Sequence, residues 1–88
     1  MNALFIASAA SALGDATRVE VYGLADGNMS VGNIAETLGV SPSTVSYHLR
    51  LLEAAGLVVG ARQGRRNCPR RRAERVWKLA RDVCRFAV

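Results

Sequence analysis

Residues 41–58 read SPSTVSYHLRLLEAAGLV, and how this stretch is read decides the fold. Ser41 offers a hydroxyl to cap a helix, Pro42 stands in the first turn where a missing N–H costs nothing, and Gly56 lies just past the expected end. A helix over residues 42–55, Pro42 to Ala55, is therefore predicted. Val45, Leu49 and Leu52 recur at helical spacing and form one inward stripe. Ser43, Thr44, Ser46, Tyr47 and Arg50 fall on the other sides and gather toward the N-terminal half. Such a face is either the solvated back of a core helix or a surface that touches something, and the flanking segments decide between the two.

Upstream, Ser30 caps a short helix, Val31–Leu38, that Gly39 breaks. The spacing of Ala35, Gly39 and Val45 suits two helices crossing steeply through a tight turn. The crossing needs a small residue, the turn a glycine with positive φ, and the seat of the second helix a branched apolar residue. This is helix-turn-helix geometry, in which the N-terminal half of the second helix enters a major groove. There Ser41, Ser43, Thr44 and Ser46 can approach phosphates or base edges, Tyr47 can donate to a phosphate or stack on a sugar, and Arg50 can pair with phosphate. His48 is expected to pack or to face a phosphate rather than to bind a metal.

Downstream, the short β-branched run LVV and the turn ARQGRRN predict a hairpin over residues 57–68, with Pro69 ending any ladder. Its tip places Arg62, Gln63, Arg65 and Arg66 around Gly64, a wing suited to the duplex backbone or to the minor groove, where arginine is favoured. The remaining chain supplies three more helices. One covers residues 2–13 and ends at Gly14. The next, over residues 16–25, is capped by Asp15, with Val19, Tyr22 and, as a further candidate, Val21 facing inward. The last runs from Arg70 to Phe86, with Val76, Leu79, Ala80, Val83 and Phe86 or Ala87 on one apolar stripe. The expected fold class is mainly α with a small β-hairpin: one winged helix-turn-helix domain over residues 1–88, about five helices plus a wing.

Charge supports that reading. Residues 1–61 carry two basic and five acidic side chains, a net of −3, whereas residues 62–88 carry ten basic and two acidic, a net of +8. Clustered arginine favours an anionic polymer, because its approach releases condensed counterions. An acidic membrane is the competing partner, but the basic segment lacks a long apolar face with interfacial aromatics. MNALFIASAASAL has no basic residue ahead of its apolar run and is too short to span a bilayer, so it reads as a core or interface helix of a cytoplasmic protein. An enzyme is not expected: there is one histidine, and there are no paired carboxylates, no phosphate-cradling glycine loop and no nucleophile beside a base.

Three segments resemble the ArsR/SmtB-type winged-helix transcriptional repressors of bacteria and archaea. LGDATRVEVYGLADG (13–27) is similar to that family's second-helix signature, MSVGNIAETLGVSPSTVSYHLRLLEAAGLV (29–58) to its helix-turn-helix, and GARQGRRN (60–67) to its wing. The resemblance implies a homodimer that binds a palindromic operator in double-stranded DNA and often releases it when an inducer binds. It places DNA contacts on Ser43, Thr44, Ser46 and Tyr47, the wing arginines on the backbone, and the dimer interface on the first and last helices. The residues agree on the last point. Leu4, Phe5 and Ser8 in the first helix, with Val76, Leu79, Ala80 and Val83 in the last, offer more apolar surface than a chain of 88 residues readily covers by itself. Trp77 is expected at the interface margin or packed on the domain.

Two features depart from the family. The third-helix cysteine pair of its thiolate sensors would fall within NIAETLG, which has no cysteine, and the second wing strand is NCPRRR. Asp82 has no histidine near it to reproduce the last-helix metal set, so no metal and no cofactor are expected. Cys68 and Cys84 read as thiols. A helix over 73–84 sets Cys84 at least ~15 Å from Cys68, beyond the ~7 Å Cα limit for a disulfide. Cys68, flanked by Arg65, Arg66, Arg70, Arg71 and Arg72, reads first as an incidental thiol and second as a candidate redox or metalloid sensor through a stabilised thiolate. Cys84 reads first as a filler of apolar space and second as a further sensor candidate that meets its symmetry mate if the last helices pair. The readings kept beside DNA binding are such a thiol-sensing repressor, an RNA-binding winged helix, and a winged helix that binds another protein.

Overall fold

The structure is a computed structural model that describes residues 3–86, the side chain of Phe86 excepted. The expected helical start at Asn2 and the Phe86 and Ala87 side chains of the last stripe lie outside the described residues. The elements run α1 (Ala3–Ala12), α2 (Ala16–Leu24), α3 (Val31–Leu38), α4 (Pro42–Ala54), β1 (Val58–Val59), β2 (Arg62–Gln63), β3 (Arg66–Asn67), β4 (Arg70–Arg71) and α5 (Ala73–Phe86).

Local chemistry sets most of these boundaries. Asp15 accepts the Arg18 N–H at 2.9 Å and starts α2. Ser30 and Asn33 form a reciprocal capping box on α3, each side chain accepting the other's backbone N–H. Ser41 accepts the Thr44 N–H at 3.1 Å and starts α4, with Pro42 at its first position. Between α3 and α4, Gly39 takes a left-handed φ of 69°, which lets the Val40 N–H reach back to the Ala35 carbonyl at 3.0 Å and turns the chain at once into the next helix.

The core is built around α4, which packs against α1, α2, α3 and β1. Its inward residues are Val45, His48, Leu49 and Leu52, and they meet Ala9 and Ala12 of α1, Val21 and Ala25 of and beyond α2, Ile34 and Ala35 of α3, and Leu57 and Val58 before and in β1. The small residues of α1 let that helix lie close to α4.

The inward face of α2 differs from the expected one. Val21 is fully buried, Val19 is 45% exposed, and Tyr22 is only half-buried. The face is defined by Arg18, Val21 and Ala25, at i, i+3 and i+7, because the Arg18 guanidinium reaches inward to α1 and α4. A pattern drawn from apolar residues alone leaves Arg18 off that face and rotates the helix.

The wing is also longer than expected, and Pro69 does not end its ladder. β1 pairs with β4, Val58 with Arg71 and Val59 with Arg70, and β2 pairs with β3, Arg62 with Asn67 and Gln63 with Arg66. Pro69 sits buried in the break between the two ladders, where no N–H is demanded of it, and its carbonyl accepts the Gly27 N–H at 2.9 Å. The strand resumes after it, the Arg71 N–H donating to the Ala25 carbonyl at 2.9 Å. Consequently α5 begins at Ala73 rather than at Arg70.

Helix α5 returns across α1. Val76 and Leu79 are half-buried against the core, and the Lys78 ammonium bonds the Asp82 carboxylate at 2.8 Å while lying 4.9 Å from the centre of the Phe5 ring. That ammonium holds the Asp82 carboxyl below its usual range.

Candidate nucleic-acid interface

The outward side of α4 begins with a knot of hydroxyls. Ser41 Oγ shares hydrogen bonds with Ser43 Oγ at 3.0 Å and with Thr44 Oγ1 at 2.8 Å while it accepts the Thr44 N–H. The Ser41 and Thr44 hydroxyls are therefore committed to the cap, and Thr44 is half-buried. Ser43, Ser46, Tyr47 and Arg50 are exposed, and Arg50 has no hydrogen-bond or ion-pair partner among the described residues. Tyr47 is 49% exposed and stands edge-on to His48, with ring centres 5.4 Å apart.

His48 belongs to the core side. Its Nδ1 accepts the Arg18 Nε–H at 3.2 Å, and Arg18 Nη1 donates to the carbonyls of Ser11 at 3.4 Å and Ala12 at 3.1 Å. Because a guanidinium is always protonated and donates only, Nδ1 must present its lone pair here. Arg18 thus neutralises the carbonyl end of α1 and ties α1, α2 and α4 together. Sequence reasoning missed it, although the only cation before Arg50 in the chain was a signal.

The wing residues divide into two groups. Gln63 Nε2 donates to the Gly27 carbonyl at 2.7 Å, and Arg66 Nη2 donates to Asn33 Oδ1 at 2.8 Å, so both side chains turn toward the protein. Arg62 Nη1 bonds the Arg65 carbonyl at 3.4 Å, a long contact on an exposed residue, and the Arg65 side chain has no partner among the described residues. The ion pairs seen among the described residues, Arg72 with Glu74 and Lys78 with Asp82, leave the α4 face and the wing tip uncompensated. Nearby carboxylates are held ionised by backbone donors: the Arg18 N–H lowers Asp15, and the Asn28 and Met29 N–H groups lower Asp26. Burial raises the Tyr22 phenol.

The burial of Cys68 favours an incidental thiol over a sensor. Cys68 is completely buried beside Pro69, and Cys84 is exposed on α5. Three of the arginines around Cys68 direct their guanidiniums elsewhere, Arg66 to Asn33, Arg71 to the Tyr22 and Gly23 carbonyls, and Arg72 to Glu74. Among the described residues no three His, Cys, Asp or Glu side chains gather to hold a metal ion. No helix among them is long and apolar enough to cross a membrane.

The expected interface residues separate by depth. Phe5, Val76 and Leu79 are half-buried and join α1 and α5 to the chain's own core. Leu4, Ser8, Ala80 and Val83 face outward, Leu4 at 82% exposure, and Trp77 stands beside them at 71% exposure rather than packed on the domain.

The family model described as bacterial regulatory protein, arsR family, matches residues 15–59, from the α2 cap through β1, and the chain belongs to that family of winged helix-turn-helix transcription regulators. Among its relatives, the HTH-type transcriptional regulator KmtR of Mycobacterium tuberculosis is 44% identical over 72 residues, 81% of this chain and 55% of that protein. The HTH-type transcriptional regulator NmtR of the same organism is 41% identical over 61 residues, 68% of this chain and 51% of that protein. The chain therefore spans about half the length of the curated relatives it matches. An ArsR-like transcriptional regulator from Rhodococcus sp. RHA1 superposes with a TM-score of 0.86 at 32% identity, covering 96% of this chain and 80% of that one. The homodimeric winged helix-turn-helix DNA-binding domain of a possible ArsR-family regulator from Mycobacterium bovis superposes at 0.75 with 31% identity, covering 94% and 78%.

Proposed function

We propose that this chain acts in the cytoplasm as a homodimeric, sequence-specific DNA-binding repressor. The observation that carries the proposal is the division of α4: Val45, His48, Leu49 and Leu52 are buried, while Ser43, Ser46, Tyr47 and Arg50 face out with no acid among them. Ser43 and Ser46 read base edges in the major groove, Tyr47 and Arg50 engage phosphate or sugar, and Ser41 and Thr44 hold the helix end that enters the groove. Arg65, with Arg62 beside it, lies along the adjacent backbone or minor groove. The second copy docks on the outward residues of α1 and α5, Leu4, Ser8, Ala80 and Val83, with Trp77 at the edge. A relative of the same fold is a homodimer, which favours this arrangement. Two α4 helices then meet successive major grooves of one operator, and occupancy of the operator blocks transcription.

A thiol-sensing variant of this function is less well supported by a fully buried Cys68. The test is fluorescence anisotropy with an operator duplex and a scrambled duplex. The chain should prefer the operator, and Ser43→Ala with Ser46→Ala should erase much of that preference while retaining non-specific affinity. Equal binding to both duplexes by the unaltered chain would reject sequence reading by α4. Binding to a partner protein with no duplex binding at low salt would favour the interaction-module reading instead.

A further inference from the structure

The wing is a jointed hairpin. Its inner ladder, β1 with β4, and its outer ladder, β2 with β3, are separate two-stranded sheets of two residues per strand. The joint spans Gly60–Ala61 on one side and Cys68–Pro69 on the other, bridged by one bond from the Cys68 N–H to the Ala61 carbonyl at 2.8 Å. A two-residue outer ladder is far too short to hold its own direction in water. Something outside it must set the angle at which its tip is presented.

Three hydrogen bonds do so, two to Gly27 in the turn between α2 and α3 and one to Asn33 near the start of α3. Gly27, in a left-handed turn with φ of 87°, donates its N–H to the Pro69 carbonyl at 2.9 Å and accepts Gln63 Nε2 on its carbonyl at 2.7 Å, one fastening on each side of the joint. Asn33 Oδ1 accepts Arg66 Nη2 at 2.8 Å, and the same oxygen accepts Ser30 Oγ at 2.8 Å and the Ser30 N–H at 3.3 Å. The acceptor that helps cap α3 is thus also the acceptor that holds the wing.

We infer that Asn33 is a positioning residue for DNA binding: through Arg66 it latches the outer wing onto α3 so that Arg65 is aimed at the duplex. Gln63 and Arg66 then serve as struts, not as contacts to phosphate, and the first helix of the helix-turn-helix sets the angle of the wing as well as the seat of α4. The inference rests on the wing's role proposed above, and the experiment separates the two.

The full chain carries Asn33→Ala, Arg66→Ala, both together, or Asn33→Asp, which keeps an acceptor for Arg66 and for the cap. Backbone 15N relaxation at residues 62–67 reports the order of the free wing without DNA. Hydroxyl-radical footprinting of the bound operator reports whether the wing touches the duplex beyond the α4 half-sites. The latch predicts an ordered wing and flanking protection in the unaltered chain and in Asn33→Asp. Both alanine variants should show larger wing motion, loss of flanking protection and operator binding weaker by about three- to fivefold, the yield of one exposed charge-assisted bond. The double variant should be no weaker than either single, because one bond cannot be lost twice. A wing that stays ordered in both alanine variants, fully additive losses, or a loosened wing with intact flanks would each overturn the latch. Absence of flanking protection in the unaltered chain would instead overturn the wing's contact with DNA, and the DNA half of this inference with it, while relaxation still decides whether the latch exists.

Discussion

Arg18→Ala should destabilise the domain well beyond what a half-exposed polar side chain usually contributes. The guanidinium serves three acceptors on two helices: His48 Nδ1 in α4 and the Ser11 and Ala12 carbonyls at the end of α1. Removing it leaves the nearly buried Nδ1 without a donor, a loss of about 1–3 kcal/mol. It also removes the cation from the negative end of α1, worth about 0.3–1 kcal/mol. The sum is about 1.3–4 kcal/mol, which for a domain of this size corresponds to a fall in Tm of about 5–30 °C. Urea unfolding followed by circular dichroism measures it, with protein concentration held fixed because dimerisation would couple to stability. His48→Phe supplies the internal control: a ring without the lone pair makes the first loss impossible, so Arg18→Ala in that background should cost only about 1 kcal/mol or less. A cost below about 0.5 kcal/mol in the unaltered background, which is ordinary for a surface substitution, would refute the tie between α1, α2 and α4. An equal cost in both backgrounds would refute the part played by His48.

Acid should weaken the fold through the α2 cap at Asp15 and the turn held by Asp26. The folded-state carboxyls of Asp15 and Asp26 lie below their ordinary value because backbone N–H groups bond the charged form. Their stabilisation is present above the unfolded carboxylate value and is lost as pH falls through the lower folded one, so unfolding midpoints should be flat above about pH 5 and drop below about pH 4; Asp15→Asn with Asp26→Asn should shrink that drop. Arg65→Ala should reduce the log-log salt slope of operator binding by about 0.9 for each phosphate contact removed, and an unchanged slope would contradict contact there. Leu4→Glu or Val83→Glu should shift sedimentation to monomer at micromolar concentration without changing the monomer's helical signal; a dimer of unchanged strength would place the interface elsewhere. A thiol reagent should modify Cys68 only as fast as the chain unfolds, since it is fully buried, whereas labelling at the rate of a free thiol would restore it as a sensor candidate.

Much of the fold is legible because its boundaries are local. Asp15, Ser30 and Ser41 cap helices with their own side chains, Gly39 turns the chain, and Val45, Leu49 and Leu52 lie inward at the spacing that defines a helix. The parts that escape are those decided by distant partners. Arg18 turns inward only because carbonyls of α1 and a histidine 30 residues away wait for it, and it carries Val21 in and Val19 out. Pro69 reads as a stop, yet the β1–β4 ladder continues past it because its carbonyl, not its missing N–H, is what Gly27 uses. Arg66 and Gln63 look like DNA contacts in a basic run, and only the fold shows Asn33 and Gly27 taking their donors. Cys68 shows the same limit from the other side, since five neighbouring arginines in the sequence say nothing about where their guanidiniums point.

Selection of bound sequences from a random duplex library tests the central claim most directly. A homodimer that inserts one α4 helix per half-site predicts enrichment of an inverted repeat, with half-site centres about 10 bp apart or at a multiple of that spacing. The repeat should disappear when the selection is repeated with Ser43→Ala, Ser46→Ala and Tyr47→Ala combined. No enrichment over the starting library, or enrichment of a sequence without two-fold symmetry, would contradict the account.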